Sequence, residues 1–199
     1  MKPVKAQLSS DSQLWDLLKK GDANAYEEIF KSHYQLLTNY GLKLNRDKEE
    51  VKDCLQVLFS RLWERRAHLG PCNSIRSYLL ASVRRLILKR LSEKSKLVEL
   101  DPKKLKFYVE LSAETHLIID QTAKKRIALL QEAIEQLPER QKEALYLKFY
   151  GDESFADIAT TMDISTRAVY KLIYKALDNL SEQMNTSSSD ISSLLSIFF

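Results

Sequence analysis

The chain has 199 residues, of which 44% are hydrophobic and 29% are charged, and its formal net charge is +4. This composition is that of a soluble globular protein and excludes a predominantly disordered chain, while the length suits one ordinary domain or two small ones. Only 4 glycines and 4 prolines occur. Because long stretches lack both residues that interrupt helices, we expect an all-α protein.

Four amphipathic helices are predicted in the first 95 residues, and they form a first domain over 1–95. A short helix ends near Gly21, and Asp22 is the predicted N-cap of a longer second helix. A third helix covers about 47–66, and a fourth begins near Ser74 after a glycine-proline loop. Their apolar residues recur every three or four positions, so each has a core-facing stripe.

Basic residues are concentrated at the end of the third helix and along the fourth. They are Arg61, Arg65, Arg66, Arg76, Arg84, Arg85, Lys89, Arg90, Lys94 and Lys96. Only Glu64 and Glu93 oppose them between residues 61 and 96. Such a local positive field attracts phosphate groups. From charge alone, a solvated basic surface is the alternative.

After a less regular connection over 96–116, periodicity returns and predicts a second domain over 117–182. The segment 137–180 suggests four short helices, the last two at helix-turn-helix spacing. Ser154 and Asp157 stand at N-cap and N3 positions of the first helix of this motif, and Ser165 caps the second. Asp163 falls in the tight turn, where a left-handed backbone is needed and aspartate tolerates it.

The second helix of this motif has a polar face that fits DNA. Its outward residues, with the capping serine, are Ser165, Thr166, Arg167, Tyr170, Lys171, Tyr174 and Lys175. Arginine can bond guanine bidentately, lysine neutralises phosphates, and tyrosine and threonine can bond phosphate or pack on a thymine methyl. The alternative is an ordinary amphipathic helix with a solvated basic face. Agreement of caps, turn and charges favours the DNA-binding interpretation.

The last segment, 183–199, is a Ser-rich tail with an apolar terminus. Its composition predicts a flexible spacer followed by a small apolar end. That end could dock on this chain, bind a partner, or be a sticky terminus, and the sequence does not rank the three. Its apolar residues are Leu194, Leu195, Ile197, Phe198 and Phe199.

The sequence gives little support for a catalytic site, a metal site or secretion. Cys54 and Cys72 form no disulfide framework, and the chain start has no apolar run for a signal peptide, so a cytoplasmic location is expected. A metal site from these thiols and His68 lacks a fourth ligand. An enzyme acting on nucleic acid would need paired carboxylates, which the basic helix lacks. We predict no enzyme activity, metal, cofactor or small-molecule substrate.

Four blocks of sequence resemble one known family. They are GDANAYEEIFKSHY at 21–34, DCLQVLFSRLWERR at 53–66, SIRSYLLASVRRLILKRL at 74–91 and LPERQKEALYLKFYGDESFADIATTMDISTRAVYKLIYKAL at 137–177. Together they are similar to the extracytoplasmic-function (group IV) sigma factors of bacterial RNA polymerase, and the general run of the sequence is most like the Bacteroidetes-type group. The likeness covers most of residues 14–180. The LPERQ opening combined with the DxxQ–F–W pattern is its distinctive part.

This resemblance implies roles for both domains. The first is similar to sigma region 2, whose third helix docks on core RNA polymerase; the matching positions are Asp53, Gln56, Ser60, Trp63 and Glu64. The following loop and helix match the segment that melts the −10 region and captures a base. The residues implied there are Asn73, Ser74, Arg76 and Tyr78 for a pocket, and Arg84, Arg85, Lys89 and Arg90 for the strand. The second domain is similar to region 4, whose recognition helix reads the −35 element.

The resemblance therefore implies a sigma factor whose partners are core RNA polymerase, promoter DNA and an anti-sigma factor, which in this family is often membrane-anchored. In places the chain departs from the family pattern: Asp163 replaces the usual turn glycine, Ala168 a common threonine, and Arg85 a common asparagine. The alternative function is a stand-alone helix-turn-helix transcriptional regulator, which would bind a two-fold duplex site as a dimer without polymerase. A single helix-turn-helix behind a basic, rather than apolar, front helix argues against it.

Overall fold

A computed structural model describes residues 4–98, 106–109 and 121–198. Within these ranges all regular elements are helical and no β-strand occurs, which confirms the predicted all-α class. The described residues form two compact units. The first contains helices α1–α4, and the second contains the segment 106–109 and helices α5–α9, apart from Thr160–Asp163.

In the first unit, α1 spans Val4–Lys19, α2 Ala23–Leu44, α3 Lys48–Glu64 and α4 Ile75–Val98, with a 3₁₀ turn at Arg66–His68. The predicted starts of α2 and α3 are confirmed. The Asp22 carboxylate accepts hydrogen bonds from the backbone N–H groups of Asn24 and Ala25, and Asp47 caps α3 in the same way. Since α4 continues to Val98, it crosses the boundary that the sequence placed at residue 95.

The core of this unit lies where α2 crosses α3 and α4. Leu37, Tyr40, Leu55, Leu79 and Ile87 are fully or almost fully buried there. Gly41 permits the close approach, because a Cβ atom at that position would lie 2.7 Å from Val51 Cγ1 and 3.2 Å from Ile87 Cδ1.

In the second unit, α5 spans Gln121–Gln136, α6 Glu139–Leu145, α7 Phe155–Met162, α8 Thr166–Met184 and α9 Ser188–Phe198. Over 137–180 the sequence suggested four short helices, and four helical elements form there: α6, a π-helical turn at Tyr146–Tyr150, α7 and α8. The π-helical turn follows α6 without a break.

The helix-turn-helix caps form as predicted. Ser154 Oγ accepts from the Asp157 N–H at 3.1 Å, and Ser165 Oγ accepts from the Ala168 N–H at 3.2 Å. Between the helices Asp163 adopts the left-handed conformation with φ of 54°. These local interactions fix where α7 and α8 begin and how the chain reverses between them.

The expected flexible spacer at 183–199 is wrong for its described part. After Asn185 ends α8 in a left-handed conformation, Ser187 caps α9, its Oγ accepting from the Asp190 N–H at 3.2 Å. Ile191 and Leu195 are fully buried, so the tail docks on its own chain through these two residues. The side chains of residues 197–199 lie outside the described residues.

Most of the connection predicted at 96–116 also lies outside the described residues, but 106–109 packs against the second unit. The Phe107 ring lies 5.6 Å from that of Tyr146, and its N–H donates to the Glu139 carboxylate. The Gln131 amide donates to the Val109 carbonyl at 2.9 Å. Phe107 and Val109 are buried.

Candidate protein and nucleic-acid interfaces

One side of α3 carries the five residues that the resemblance assigned to polymerase docking. Asp53, Gln56, Ser60, Trp63 and Glu64 fall within about a third of the helix circumference at 100° per residue. The Ser60 hydroxyl donates to Glu64 at 2.9 Å. At one edge Asp53 lies 3.5 Å from the Arg90 guanidinium of α4, a partly exposed pair. The five residues therefore form one continuous surface, called below the α3 face.

Four residues of the α3 face, Gln56, Ser60, Trp63 and Glu64, line an open groove of about 670 Å³ that also has an aromatic wall. The Tyr26 ring lies 5.1 Å from Trp63, and the Phe30 ring 4.8 Å from Phe59. The Arg66 guanidinium covers Trp63 at 4.3 Å. Phe30 belongs to the apolar stripe of α2 that the sequence predicts to face the core, yet it is 37% exposed.

The aromatic wall has a signal in the sequence that the predicted sites do not include. Tyr26, Phe30 and Tyr34 recur at every fourth position, which places three rings on one side of α2. Phe30 and Tyr34 are 5.0 Å apart. Aromatic surface next to a polar face is the composition expected of a protein-protein interface.

A second, smaller site lies between α3 and α4, where a cleft of about 250 Å³ combines an apolar lining with basic side chains. Of the predicted −10 residues, Tyr78 and Arg85 line it. Arg61 and Arg65, noted in the sequence only as part of the basic cluster, line it too. The apolar lining comes from Leu58, Leu62, Leu69 and Leu86. We call this site the α3–α4 cleft.

The other residues predicted for the −10 pocket lie outside this cleft. Ser74 Oγ accepts hydrogen bonds from the backbone and hydroxyl of Ser77, at 3.2 and 2.9 Å, and so caps α4. Arg76 is half-buried and two residues before Tyr78, which puts it about 200° away around the helix. On α2, burial lowers the pKa of His33; the hydrogen bond to the Ile29 carbonyl and the Asp11 carboxylate oppose this shift, and the Arg76 guanidinium adds slightly to it. Asn73 is exposed in the preceding loop.

The four residues predicted to contact the DNA strand also lie in different places. Arg85 and Lys89 are exposed and one turn apart on the same side of α4, where Lys89 also pairs with Glu93 at 3.8 Å. Arg84 points about 100° away from Arg85. Arg90 lies against Asp53 of the α3 face.

The outward face of α8 forms as the sequence predicts. Val169, Ile173, Ala176 and Leu180 are buried. Thr166, Arg167, Tyr170, Lys171, Tyr174 and Lys175 are all exposed. Three basic and two aromatic side chains thus share the exposed side of the second helix of the helix-turn-helix.

Phe155, at the start of α7, belongs to this surface, although it is absent from the residues predicted from sequence. Its ring stacks on Tyr170 with centroids 4.0 Å apart and planes 9° from parallel. Tyr174 continues the series at 6.1 Å and 11°. The Lys148 ammonium lies 5.5 Å from the Phe155 ring centroid. Tyr170 and Tyr174 are one helical turn apart, but no spacing rule links Phe155 to them, since that contact depends on how α7 crosses α8.

In the described part of the chain, no cluster of three or more His, Cys, Asp or Glu residues could hold a metal ion. Burial raises the pKa of the Cys54 thiol and raises that of Cys72 to about 11, so both thiols are protonated at neutral pH and neither is an activated nucleophile. None of the helices among these residues has the length and apolar character required to span a bilayer.

A basic cleft in one helical unit and a helix-turn-helix with an exposed basic and aromatic face in the other define a DNA-binding transcription protein. Residues 29–97 match the family described as "Sigma-70 region 2", and residues 127–180 match "Sigma-70, region 4". Together the matches span more than half of the chain. The chain therefore belongs to the sigma-70 family, and its pairing of region 2 with region 4 is that of the extracytoplasmic-function sigma factors. It is a sigma factor, which directs promoter-specific initiation by core RNA polymerase.

Two solved structures share the fold. CnrH, in complex with the cytosolic domain of CnrY, is 16% identical with a TM-score of 0.59, and the match covers 88% of this chain and 97% of that chain. The sigma factor RpoE from Bartonella quintana, in complex with the anti-sigma factor NepR, is 14% identical with a TM-score of 0.59, covering 80% and 96%. No curated protein sequence matches significantly.

Proposed function

We propose that the α3 face is the surface that docks on core RNA polymerase. It is polar and carries one large aromatic residue, Trp63, which suits an interface that must form and later break. The aromatic wall of the groove that this face lines extends the area available to a partner helix. The observation that carries this assignment is the continuity of all five predicted residues on one exposed side of α3.

The α3–α4 cleft is proposed to hold a base of the non-template strand while the −10 region is open. Tyr78 and the leucine lining offer a stacking surface, and the guanidinium groups of Arg61, Arg65 and Arg85 can bind the flanking phosphates. Extruding a base costs stacking energy, and these contacts offset part of that cost. Lys89 would continue the path of the strand beyond Arg85.

In the second unit, we assign −35 recognition to α8. Arg167, Lys171 and Lys175 would neutralise phosphates or bond guanine while α8 lies in the major groove. The domain limits proposed are those of the sequence, 1–95 and 117–182 with a linker over 96–116, except that the first domain extends to the end of α4 at Val98 and residues 106–109 join the second. We further propose that the protein has no catalytic activity of its own and acts in the cytoplasm.

Docking can be tested by mixing the full chain with core RNA polymerase on a sizing column. We expect co-elution of the wild type, and loss of co-elution when Asp53 and Gln56 are both changed to alanine. Glu27→Ala, which removes an exposed acid from α2, is the matched control and should co-elute normally.

Since Asp53 also contacts Arg90, a third variant separates the two sides of that pair. Arg90→Ala should retain co-elution if the α3 face itself is recognised. If it abolished binding as fully as the double variant, the ion pair rather than the α3 face would be responsible. Co-elution of the double variant at wild-type level would refute this docking surface.

Control by an anti-sigma factor is proposed from the two similar structures, which are both complexes with a protein partner. Purification of the tagged chain from its native cell should recover one stoichiometric partner before induction and less of it afterwards. Recovery of free protein, or of polymerase alone, under non-inducing conditions would contradict this proposal.

A further inference from the structure

Phe155, Tyr170 and Tyr174 form a ladder of three nearly parallel rings on the surface of the second unit. Successive centroids are 4.0 and 6.1 Å apart, and the planes deviate by 9° and 11°. Tyr170 is 42% exposed and Tyr174 is 57% exposed. An exposed tyrosine on a helix normally exchanges rotamers, but stacking on a neighbouring ring favours one of them.

The base of the ladder is held more firmly than its tip. Phe155 is half-buried at the first position of α7 and lies near the Lys148 ammonium, at 5.5 Å from the ring centroid. That ammonium also donates to the Glu153 carbonyl at 3.1 Å, which limits its movement. Tyr170 therefore stacks on a ring that is itself restrained, and its direction from α8 is set by α7.

The ladder differs in chemistry from the charged residues beside it. Arg167, Lys171 and Lys175 supply positive charge, and most contacts of such residues go to phosphates, which carry no sequence information. Aromatic carbon instead packs on the one apolar group of the major groove, the C5-methyl of thymine. The uncharged rings are thus the part of α8 suited to read A·T pairs.

We propose that Phe155 is a positioning residue for promoter recognition. It holds Tyr170, and through it Tyr174, in the orientation that packs on thymine methyls of the −35 element. This inference rests on the proposed −35 role of α8. It adds a residue of α7 that contacts no base itself, and it names thymine methyls as the groups recognised.

The test uses the full chain bound to core RNA polymerase. Promoter fragments are first selected from a randomised duplex pool, and the −35 segment is located by protection from nuclease. Each thymine of that segment is then replaced singly by deoxyuridine, which removes the methyl group and preserves every hydrogen-bonding group. We expect the wild type to bind at least one such fragment about fourfold more weakly, the value for one buried methyl-sized group.

Phe155→Leu should lose this thymine preference, giving equal affinity for the two fragments, whereas Phe155→Tyr should restore it. Because the readout is a ratio, a general loss of stability or affinity would not change it. Tyr150→Leu removes a 39% exposed ring of the same unit that is outside the ladder, and should leave the ratio at the wild-type value.

The possible failures are distinct. If the wild type binds thymine and deoxyuridine fragments equally, or if Phe155→Leu keeps the preference, the inference is overturned and the −35 role of α8 stands. If no duplex sequence is enriched in the segment protected by the holoenzyme, the −35 role itself fails, and the inference fails with it.

Discussion

Helices α4 and α8 both carry side chains predicted to contact DNA, but they present them differently. On α8 all six predicted residues beyond the cap are exposed on one side. On α4 the predicted residues are spread around the helix: Tyr78 and Arg85 line the α3–α4 cleft, Arg76 is half-buried on another side, and Arg90 lies against Asp53. The residues predicted on α8 therefore form one site, whereas those predicted on α4 lie in several different environments.

The cause is the packing of each helix. α8 packs on α5, α6 and α9, but its buried side chains still form one narrow stripe. The predicted DNA-contacting residues all lie off that stripe, so periodicity alone separates the two faces. α4 packs against both α2 and α3. Its buried residues include Ser77, Leu80 and Ala81 as well as the regular apolar positions, and this widens the buried surface. Only the tertiary structure then decides which basic side chain lies in which environment.

The largest effect is expected from a comparison of two neighbouring arginines on α4, Arg84 and Arg85. Arg85→Ala should reduce open-complex formation about 10- to 100-fold, the equivalent of one lost charge-assisted hydrogen bond. Arg84→Ala should change it by about twofold, since its side chain leaves the helix on another side. Permanganate footprinting of the −10 region by the holoenzyme measures both.

The sequence predicts the same role for Arg84 and Arg85, whereas in the structure only Arg85 lines the α3–α4 cleft. The two variants therefore distinguish the sequence-based prediction from the structural one. Equal losses would mean that the strand contacts the helix broadly, and the distinction between α4 and α8 would disappear. Co-elution with polymerase is the control for both variants, because neither residue belongs to the α3 face.

The second-largest effect is expected on the stability of the first unit, where α2 crosses α3 and α4. Gly41→Ala should destabilise the first unit by about 1–3 kcal/mol, because the added methyl must displace Val51 and Ile87. Gly70→Ala is the matched control, since a Cβ there meets nothing within 4 Å. Both tryptophans, Trp15 and Trp63, lie in the first unit, so tryptophan fluorescence during denaturation reports on it alone. An unchanged midpoint for Gly41→Ala would show that α2 can move away.

The same difference between α8 and α4 explains which features could be predicted from the sequence. Local signals were sufficient for the starts of α2, α3, α7 and α8, where one capping side chain near its own helix decides the boundary. They were also sufficient for the exposed face of α8. The α3–α4 cleft and the Phe155–Tyr170 stack were missed because each joins residues from two helices, and no spacing within one helix encodes how two helices cross.

The C-terminal helix was missed for a different reason. The serine run of residues 187–189 suggested a flexible spacer, although Ser187 and Asp190 stand at N-cap and N3 positions, and Ile191, Leu194 and Leu195 follow at helical spacing. The serine-rich composition suggested flexibility, but a capping pair followed by apolar residues at i, i+3 and i+4 predicts a helix, and this positional signal is the stronger one.

On α8, unlike α4, neighbouring cations should be equivalent. Lys171→Ala and Lys175→Ala should each lower the slope of log affinity against log salt concentration by about 1, the effect of one phosphate contact. The measurement is a salt titration of holoenzyme binding to −35 duplex DNA. Lys31→Ala, an exposed cation on α2, should leave the slope unchanged. Unequal slopes for the two α8 variants would show that α8 also divides its cations between environments.

The turn between α7 and α8 gives the smallest expected effect. Asp163 holds φ at 54°, which is costly for a residue with a Cβ, so Asp163→Gly should relieve strain. Glycine loses more entropy on folding, which leaves a net gain of about 0.5 kcal/mol. Asn185→Gly, at another left-handed position, should gain less, because asparagine tolerates φ of 48° better. Circular dichroism would follow the transition that tryptophan fluorescence does not report. If Asp163→Gly instead destabilised the second unit, the aspartate side chain would make a stabilising contact, and the exposed face of α8 would depend on more than its own buried stripe.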